Sequence, residues 1–285
     1  MSPSNRAREG RKMAYSTGKR AVITGAGSGI GRALARQLNR EGCEVYISDI
    51  NPETLAETVA SLEGNAAQVH SKVLDVADRA AMHGWADEIA AAAGHVDIVI
   101  NNAGVALTAL VEDCDYDNLE WLMNINFYGV VHGTQAFLPL LRKAPQGHVV
   151  NLSSVFGMIG VPTQSAYNAA KFAVRGYTEA FRQEMAGTNI HVCCVHPGGI
   201  STNIARNARG EDARTADQRD AAFKKVARTS PASAASQIVR AIEKRKARLL
   251  IGADAKLISL VTRLLPVSYT RIVAALSPEE IAVQR

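Results

Sequence analysis

Residues 24 to 31 read Thr24-Gly25-Ala26-Gly27-Ser28-Gly29-Ile30-Gly31, and this stretch decides the fold of the 285-residue chain. It lies between an apolar strand pattern at 20–24 and a helical pattern at 29–41. Glycine permits a tight strand-to-helix turn and a close approach of ligand to backbone, while the N–H groups at a helix start attract anions. The stretch predicts a pyrophosphate-binding turn, although Ile30 replaces the third glycine of GxGxxG. A tight turn without a ligand is the alternative.

Strand and helix patterns alternate along the rest of the chain. Strands are predicted at 20–24, 44–48, 68–74, 96–100, 148–152, 190–195 and 248–251. Helical patterns lie between them near 29–41, 52–62, 78–93, 116–143, 165–186 and 231–246. The run Val96–Ile100 is nearly all apolar, as expected for a strand covered on both faces. The alternation predicts an α/β, doubly wound, seven-stranded parallel sheet with helices on both faces, the Rossmann fold.

Composition and charge place further limits on the protein. With 47% hydrophobic and 21% charged residues, the chain has the composition of a globular protein. Residues 1–17 are predicted to be a basic, disordered leader rather than a nucleic-acid or membrane segment, and 18–285 a single domain. No apolar run approaches the roughly 20 residues that span a bilayer. The four cysteines lack metal or CxxC spacing and are predicted to be buried free thiols in a cytoplasmic protein.

Two segments fall outside the alternation. Ser201–Thr229 is charged and follows the sixth strand, at the edge where such sheets bind ligands, so it is predicted to be a lid. A helical extension is predicted near 255–285. Within it, Lys256–Leu265 is amphipathic, stops at Pro266 and could form a wall of a pocket. Partner-helix packing is its favoured use, with a lipophilic substrate or a membrane-surface contact as the alternatives.

An acidic residue at the second strand end predicts which cofactor is used. Asp49 follows Gly31 by eighteen residues, where a carboxylate is expected to accept hydrogen bonds from an adenosine ribose. A carboxylate there also repels a 2′-phosphate, so NAD(H) is predicted over NADP(H). Ser28 agrees, since it is not a phosphate-pairing Arg or Lys. The alternative role of helix cap is weakened because Asn51-Pro52-Glu53 already forms a cap and first turn.

The next two strand ends supply further predicted cofactor contacts. Asp75 and Val76 end the third strand, and Asp75 either contacts adenine or caps the helix that starts near Asp78. The run Asn101-Asn102-Ala103-Gly104 ends the fourth strand. Its small residues permit close approach of backbone to cofactor, and its amide groups can tie neighbouring strand ends together.

A serine, a tyrosine and a lysine come together near the fifth strand end. Tyr167 and Lys171 are four residues apart, on one face of a predicted helix, and Ser154 closes the strand before it. Tyr15 and Lys19 have the same spacing, but they precede every strand, so that match is interpreted as chance. An adjacent ammonium favours a phenolate, which predicts a lowered pKa for the Tyr167 hydroxyl.

With these motifs in order, the chain resembles the short-chain dehydrogenase/reductase family, in its shorter single-domain branch. The resemblance covers roughly residues 18–255 and implies a proton-transfer role for Tyr167, a nicotinamide-ribose contact for Lys171 and substrate orientation by Ser154. It rests on Thr24-Gly25-xxx-Gly29-x-Gly31, Asn101-Asn102-Ala103-Gly104, Asn126, Ser154, Tyr167-xxx-Lys171 and Pro197-Gly198.

The resemblance implies two further groups of contacts. Asn126, in the middle of a long predicted helix, would hold a water that links Lys171 to solvent, with Asn124 as the alternative. The loop after the sixth strand would meet the nicotinamide carboxamide, while His196 just before it is not expected to be catalytic. The full set of predicted cofactor contacts is Gly25, Ser28, Gly29, Ile30, Gly31, Asp49, Asp75, Val76, Asn102, Ala103, Gly104, Tyr167, Lys171, Pro197, Gly198, Ile200 and Thr202.

The expected function is an NAD(H)-dependent oxidoreductase that interconverts a secondary alcohol and a ketone. The alternative is a catalytically silent nucleotide-sensing or scaffold protein, although such a protein could lose the serine, tyrosine or lysine that this chain retains. The family commonly pairs its long helices across two-fold axes, which implies a homodimer or homotetramer formed through 116–143 and 165–186. No metal and no nucleic-acid partner are expected.

Overall fold

The structure is a computed structural model that describes residues 13–65, 68–210 and 215–271. Seven strands form one sheet in the order β3-β2-β1-β4-β6-β7-β9, and β5 pairs with β8 in a separate ribbon. Every pairing is parallel, so the predicted doubly wound, seven-stranded parallel sheet is confirmed. The strands are β1 (Arg20–Thr24), β2 (Glu44–Asp49), β3 (Val69–Val73), β4 (Ile98–Asn101), β5 (Leu107–Thr108), β6 (Gly147–Leu152), β7 (Ile190–Pro197), β8 (Arg209–Gly210) and β9 (Arg248–Ile251).

Helices cover both faces of the sheet, because successive strand side chains point to opposite sides. On one side Ile23 packs with Leu34, and on the other Val22 packs with Phe137. The first side carries α1 and α8, and the second carries α3, α5 and α6. The helices are α1 (Gly29–Arg40), α2 (Pro52–Ala60), α3 (Arg79–Ala93), α4 (Tyr116–Met123), α5 (Gly129–Lys143), α6 (Ser165–Glu184), α7 (Ala216–Val226), α8 (Pro231–Glu243) and α9 (Ala253–Leu264).

Two predicted segments have a different internal structure from the one expected. The long helix at 116–143 is interrupted, because Asn124–Tyr128 forms a π-helical turn between α4 and α5. Such turns are frequent at functional sites. The predicted lid, Ser201–Thr229, is not wholly irregular: it contains β8 and α7.

The N-terminal boundary also differs from the prediction. The leader was expected to be disordered as far as residue 17, but residues 15–18 form a turn at the amino ends of the strands. Ser16 is fully buried there, and the Tyr15 hydroxyl lies 2.7 Å from Nε2 of His148. Lys19 lies over the Tyr15 ring, so this second Tyr–Lys pair packs the turn. Residues 1–12 of the leader and 272–285 of the extension lie outside the described residues.

The cysteines are free thiols, as predicted. Cys43, Cys193 and Cys194 are buried, and Cys114 is half-buried. Burial raises the pKa of Cys193 and of Cys194 to about 12, so both stay protonated at neutral pH. Across the described ranges, no helix combines the length and the apolar character needed to cross a membrane.

Candidate active site

The glycine loop joins β1 to α1 at the carboxyl edge of the sheet. Gly25 has a φ of +65°, and a Cβ there would lie 2.7 Å from Cα of Ala103. A Cβ on Gly31 would lie 2.1 Å from the carbonyl oxygen of Gly25. Larger residues at these two positions would force the backbone apart, so glycine keeps the turn tight against the end of β4.

Helix α1 begins without a side-chain cap. Ser28 stands at its N-cap but makes no cap hydrogen bond, and the first turn carries no acid. Five other helices, α2, α3, α4, α7 and α8, begin with a capping side chain, whereas α6 and α9 lack one as α1 does. Uncapped N–H groups and the partial positive charge of the helix start suit a phosphate group. The predicted contacts at Ser28, Gly29, Ile30 and Gly31 therefore lie where a pyrophosphate fits.

Asp49 lies at the end of β2, beside the glycine loop. Its Oδ2 accepts a hydrogen bond from the Gly27 N–H at 2.8 Å, and its Oδ1 accepts one from the Asn51 N–H at 3.0 Å. Asn51 itself caps α2, through its Oδ1 and the Thr54 N–H. The alternative role of Asp49 as a helix cap therefore does not apply, and each carboxylate oxygen keeps accepting capacity for a ribose hydroxyl.

The two predicted contacts after β3 have different surroundings. Asp75 accepts a hydrogen bond from the Ala77 N–H at 2.9 Å, while Asp78 caps α3, so Asp75 is not the helix cap. Val76 is buried, and its carbonyl oxygen lies 3.1 Å from Nδ1 of His132. The Val76 carbonyl is thus paired with His132 within the protein. The carboxylate of Asp75 is therefore the polar group at this strand end that is more accessible to a ligand.

Asn102 and Thr24 tie the ends of β4 and β1 together. The Asn102 amide donates to the carbonyl oxygens of Thr24 at 2.9 Å and Gly25 at 3.0 Å. In the other direction, the Thr24 hydroxyl oxygen accepts from the N–H groups of Asn102 and Ala103. The predicted role of the amide side chain, joining neighbouring strand ends, matches this geometry.

Lys171 is a buried cation at the centre of the site. It is 3% exposed, and its Nζ donates to the carbonyl oxygen of Leu152 at 3.1 Å. Burial lowers its pKa from 10.5 to about 8. A Cβ on Gly104 would lie 3.4 Å from this Nζ, so a larger side chain there would cover the ammonium.

Ser154 and Tyr167 are brought together as predicted. Ser154 starts a single 3-10 turn at Val155–Gly157, and its Oγ accepts a hydrogen bond from the Phe156 N–H at 3.1 Å. Its hydroxyl also lies close enough to the Tyr167 phenol to lower the pKa of that phenol, against the larger effect of burial. Nζ of Lys171 lies 5.6 Å from the centre of the Tyr167 ring. The Ser154 hydroxyl, the Tyr167 phenol and the Lys171 ammonium therefore lie together where β6 ends and α6 begins.

The predicted lowering of the Tyr167 pKa is wrong. Burial raises the pKa of Tyr167 to about 12, and the hydrogen bond with Ser154 offsets this only in part. The Lys171 ammonium is buried and the Tyr167 phenol is partly buried, which disfavours the charged form of each. The Lys171 ammonium donates to the Leu152 carbonyl, and its Nζ lies 5.6 Å from the centre of the Tyr167 ring.

Asn126 is fully buried in the π-helical turn, whereas Asn124 is exposed. Its side-chain amide is engaged by one residue: Oδ1 accepts from the Val105 N–H at 2.8 Å, and Nδ2 donates to the Val105 carbonyl at 2.9 Å. The structure therefore favours Asn126 over Asn124 as the residue of the site. The Asn126 side chain thereby holds the loop between β4 and β5 at Val105.

The loop that follows β7, Pro197–Thr202, faces the glycine loop. A Cβ on Gly29 would lie 3.0 Å from Cγ2 of Thr202. Ile200 forms a β-bridge with Thr229, which closes the base of the lid segment. The predicted contacts of this loop thus lie beside the predicted pyrophosphate contacts.

The lid segment is attached to the body at a second place. β8 pairs with β5, and the Arg209 N–H donates to the Ala106 carbonyl at 3.0 Å. The Arg209 guanidinium lies 3.8 Å above the ring of Trp121 in α4, within the range of a cation–π contact. The segment is therefore fixed both at its base and at this latch.

Two positioning residues were not predicted from the sequence. Asp254, in the first turn of α9, accepts a hydrogen bond from the Gly199 N–H at 2.7 Å and so braces the loop after β7. Asn168 accepts from the Val161 N–H and donates to the carbonyls of Phe156 and Ile159, which holds the loop after Ser154. Asn168 had a usable signal, a polar residue on the buried face of a helix. Asp254 had none, because its partner is 55 residues away.

His196 lies behind Ser154 rather than in the cleft. Its Nδ1 is 3.1 Å from the Ser154 carbonyl oxygen, and burial lowers its pKa to about 4, so the ring is neutral. Within the part of the chain that the structure describes, no group of three or more His, Cys, Asp or Glu side chains is placed to hold a metal ion.

Comparison with known proteins agrees with this geometry. Residues 19–213 match the family model described as short chain dehydrogenase. The SadH protein of Mycobacterium tuberculosis is 48% identical over 264 residues, 90% of this chain and 95% of that protein. Dehydrogenase/reductase SDR family member 7B of Bos taurus is 33% identical and covers 95% of this chain and 85% of that protein.

A solved structure gives the same assignment. The short-chain dehydrogenase/reductase of Burkholderia phymatum, solved in complex with NAD, superposes with a TM-score of 0.78 at 28% identity. The match covers 87% of this chain and 95% of that one. The chain therefore belongs to the short-chain dehydrogenase/reductase family.

Proposed function

We propose that this member of an oxidoreductase family interconverts a secondary alcohol and a ketone with NAD(H). The observation that carries the proposal is the meeting of Ser154, Tyr167 and the buried Lys171 at the sheet edge where α1 begins without a cap. A solved relative binds NAD, which supports the choice of a nicotinamide cofactor.

The cleft contains groups that suit each part of the cofactor, which supplies or accepts a hydride when bound. The backbone of Gly25–Gly31 and the start of α1 would hold the pyrophosphate. Asp49 would accept hydrogen bonds from the adenosine ribose, and Asp75 would lie beside the adenine. Lys171 would hold the nicotinamide ribose, and the loop at Pro197–Thr202 would contact the carboxamide.

The proton is handled by the side chains of the chain itself. Ser154 would orient the substrate oxygen through its hydroxyl. In ketone reduction Tyr167 donates its proton, and its raised pKa keeps the phenol protonated and ready to donate at neutral pH. In alcohol oxidation the phenol must lose that proton, and the Lys171 ammonium favours the phenolate that results.

A turnover screen tests the reaction class and the cofactor together. The full chain is assayed against secondary alcohols and ketones with NAD(H) and NADP(H), and the Michaelis constants of both nicotinamides are compared. We expect turnover with a lower Michaelis constant for NAD(H), because the Asp49 carboxylate repels a 2′-phosphate. A clear preference for NADP(H) would reject the role of Asp49. Cofactor binding without turnover of any substrate would instead favour the nucleotide-sensing protein.

Substitution of the phenol is the sharpest test of mechanism. Tyr167→Phe should lower turnover by about 10²-fold or more while cofactor affinity stays nearly unchanged, because the ring remains and only the proton-carrying oxygen is lost. Lys171→Ala should weaken both. Tyr177→Phe, the same change in the same helix, is the matched control and should stay active. Retained activity in Tyr167→Phe contradicts the assigned proton transfer.

A further inference from the structure

Helix α9 has two faces of opposite environment. Its inner face is attached to the protein: Ala255 and Ser259 are buried, and Ile258 packs with Val155 and Met158 beside the turn that follows Ser154. The helix is therefore a fixed part of the folded domain.

The opposite face of α9 is apolar and exposed to solvent. Its leucines at spacings of three and four residues lie on one side of the helix, away from the inner face. A surface helix normally presents charged and polar residues on this side. A cluster of large exposed apolar side chains marks an interaction surface. The exposed members are Leu257 (53%), Leu260 (56%), Leu264 (70%), Leu265 (41%) and Val267 (82%).

Within the described segment 256–271, which carries this apolar face, every charged side chain is positive. Residues 256–271 contain three cationic side chains, Lys256, Arg263 and Arg271, all exposed, and no Asp or Glu. Asp254, just before this stretch, is engaged by the Gly199 N–H. Lys256 and Arg263 are seven residues apart and so share one flank of the helix.

This charge pattern decides between two possible occupants. In an antiparallel two-fold pairing through this face, Lys256 and Arg263 of one copy would lie against the same cations of the other, and the described segment 256–271 supplies no acid to pair with them. An anionic lipid surface supplies the missing negative charge and accepts the leucines at the same time. We propose that this face, defined by Leu257, Leu260, Leu264, Leu265 and Val267, docks the protein on membranes that carry anionic phospholipid. With only twelve residues, α9 lies on such a surface and does not cross it.

Vesicle co-sedimentation with the full chain tests this docking. Vesicles of phosphatidylcholine with phosphatidylglycerol are compared with phosphatidylcholine alone, at low and high salt. We expect binding to the anionic vesicles that weakens with salt. Leu260→Glu with Leu264→Glu should abolish binding. Lys256→Gln with Arg263→Gln should lower the partition coefficient about fivefold for each cation removed.

Val111→Glu provides the matched control, because it alters an equally exposed apolar side chain outside α9. It should bind vesicles like the wild type. Circular dichroism shows that each variant is folded, and light scattering gives its mass. A folded wild-type protein that does not bind anionic vesicles overturns the proposal. So does loss of mass in the double leucine variant without vesicle binding by the wild type, which would assign the face to a second copy.

Discussion

The buried ammonium of Lys171 destabilises the folded protein at neutral pH. The fall of its pKa from 10.5 to about 8 corresponds to roughly 3 kcal/mol of free energy. The side chain is 3% exposed, so water does not screen this cost. Between about pH 8 and 10.5 the unfolded chain binds more protons on this group than the folded chain does. The cost is therefore full below pH 8 and disappears as the pH rises to 10.5.

Replacing the Lys171 cation should raise the free energy of unfolding and reduce activity. In Lys171→Met the Leu152 carbonyl loses its donor, at about 1 kcal/mol, so the net gain in the free energy of unfolding is about 2 kcal/mol at neutral pH. This gain in the free energy of unfolding should become smaller as the pH approaches 10.5. Urea unfolding of the variant and the wild type at neutral pH and at pH 10.5 measures it.

Lys143→Met, at an exposed lysine that ends α5, is the control for the removal of a charge. It should change the free energy of unfolding by no more than about 0.5 kcal/mol. A Lys171→Met protein that is no more stable than the wild type at neutral pH would show that the burial cost is absent.

Asp254 should affect cofactor binding from outside the cleft. Asp254→Ala leaves the Gly199 N–H without its acceptor, and the loop after β7 loses its brace. A cost of about 1–2 kcal/mol predicts a dissociation constant for NAD(H) raised about 5- to 30-fold. Asp254→Asn keeps an acceptor and should bind nearly as the wild type does. Equal effects of both variants would mean that the charge, rather than the hydrogen bond, is what matters.

The sequence located the chemical residues but not their electrostatics. Tyr167 and Lys171 are recognisable because they are neighbours on one helix, so their meeting needs no knowledge of the tertiary structure. The direction of the Tyr167 pKa depends on burial and on the Leu152 carbonyl, which only the folded chain reveals. The role of Asp254 could not be predicted either, because its contact with Gly199 also depends on the folded chain.

At the scale of elements, the latch at Arg209 should control how the lid opens. Arg209→Ala removes the stacking on Trp121 but keeps the backbone pairing of β8 with β5. Hydrogen exchange at Arg209 and Gly210 should become faster, while the core strands stay protected. Arg206→Ala is the control, since Arg206 forms an ion pair with the exposed Asp217 of the same segment. Unchanged exchange in Arg209→Ala would show that the latch does not hold the lid.

The long strands and helices could be predicted from the sequence, and the short elements could not. The seven strands of the main sheet lie within two residues of their predicted bounds, because most of them contain a run of apolar residues. β3 is the exception, since His70, Ser71 and Lys72 lie at its centre. β5 and β8 have two residues each, too few to show a period, and they pair across about a hundred residues. The π-helical turn at Asn124–Tyr128 adds one residue to a helical turn, which leaves no trace in the hydrophobic pattern.

At the scale of the whole molecule, we expect pairing through α5 and α6. Tyr128, at the start of α5, is 47% exposed, and Phe172, on α6, is 42% exposed. Light scattering should give the mass of two or four chains. Phe172→Glu should lower that mass, because it places a charge in an apolar contact, whereas Leu264→Glu on α9 should not. A monomer at micromolar concentration would exclude this pairing.

The arrangement of the four thiols gives the molecule a natural attachment point. Cys43, Cys193 and Cys194 are shielded and protonated, so gentle alkylation should modify Cys114 alone. Cys114 immediately precedes α4, the helix whose Trp121 receives the lid guanidinium. A fluorophore coupled there, with no engineered cysteine, would report any change in the contact between Arg209 and Trp121.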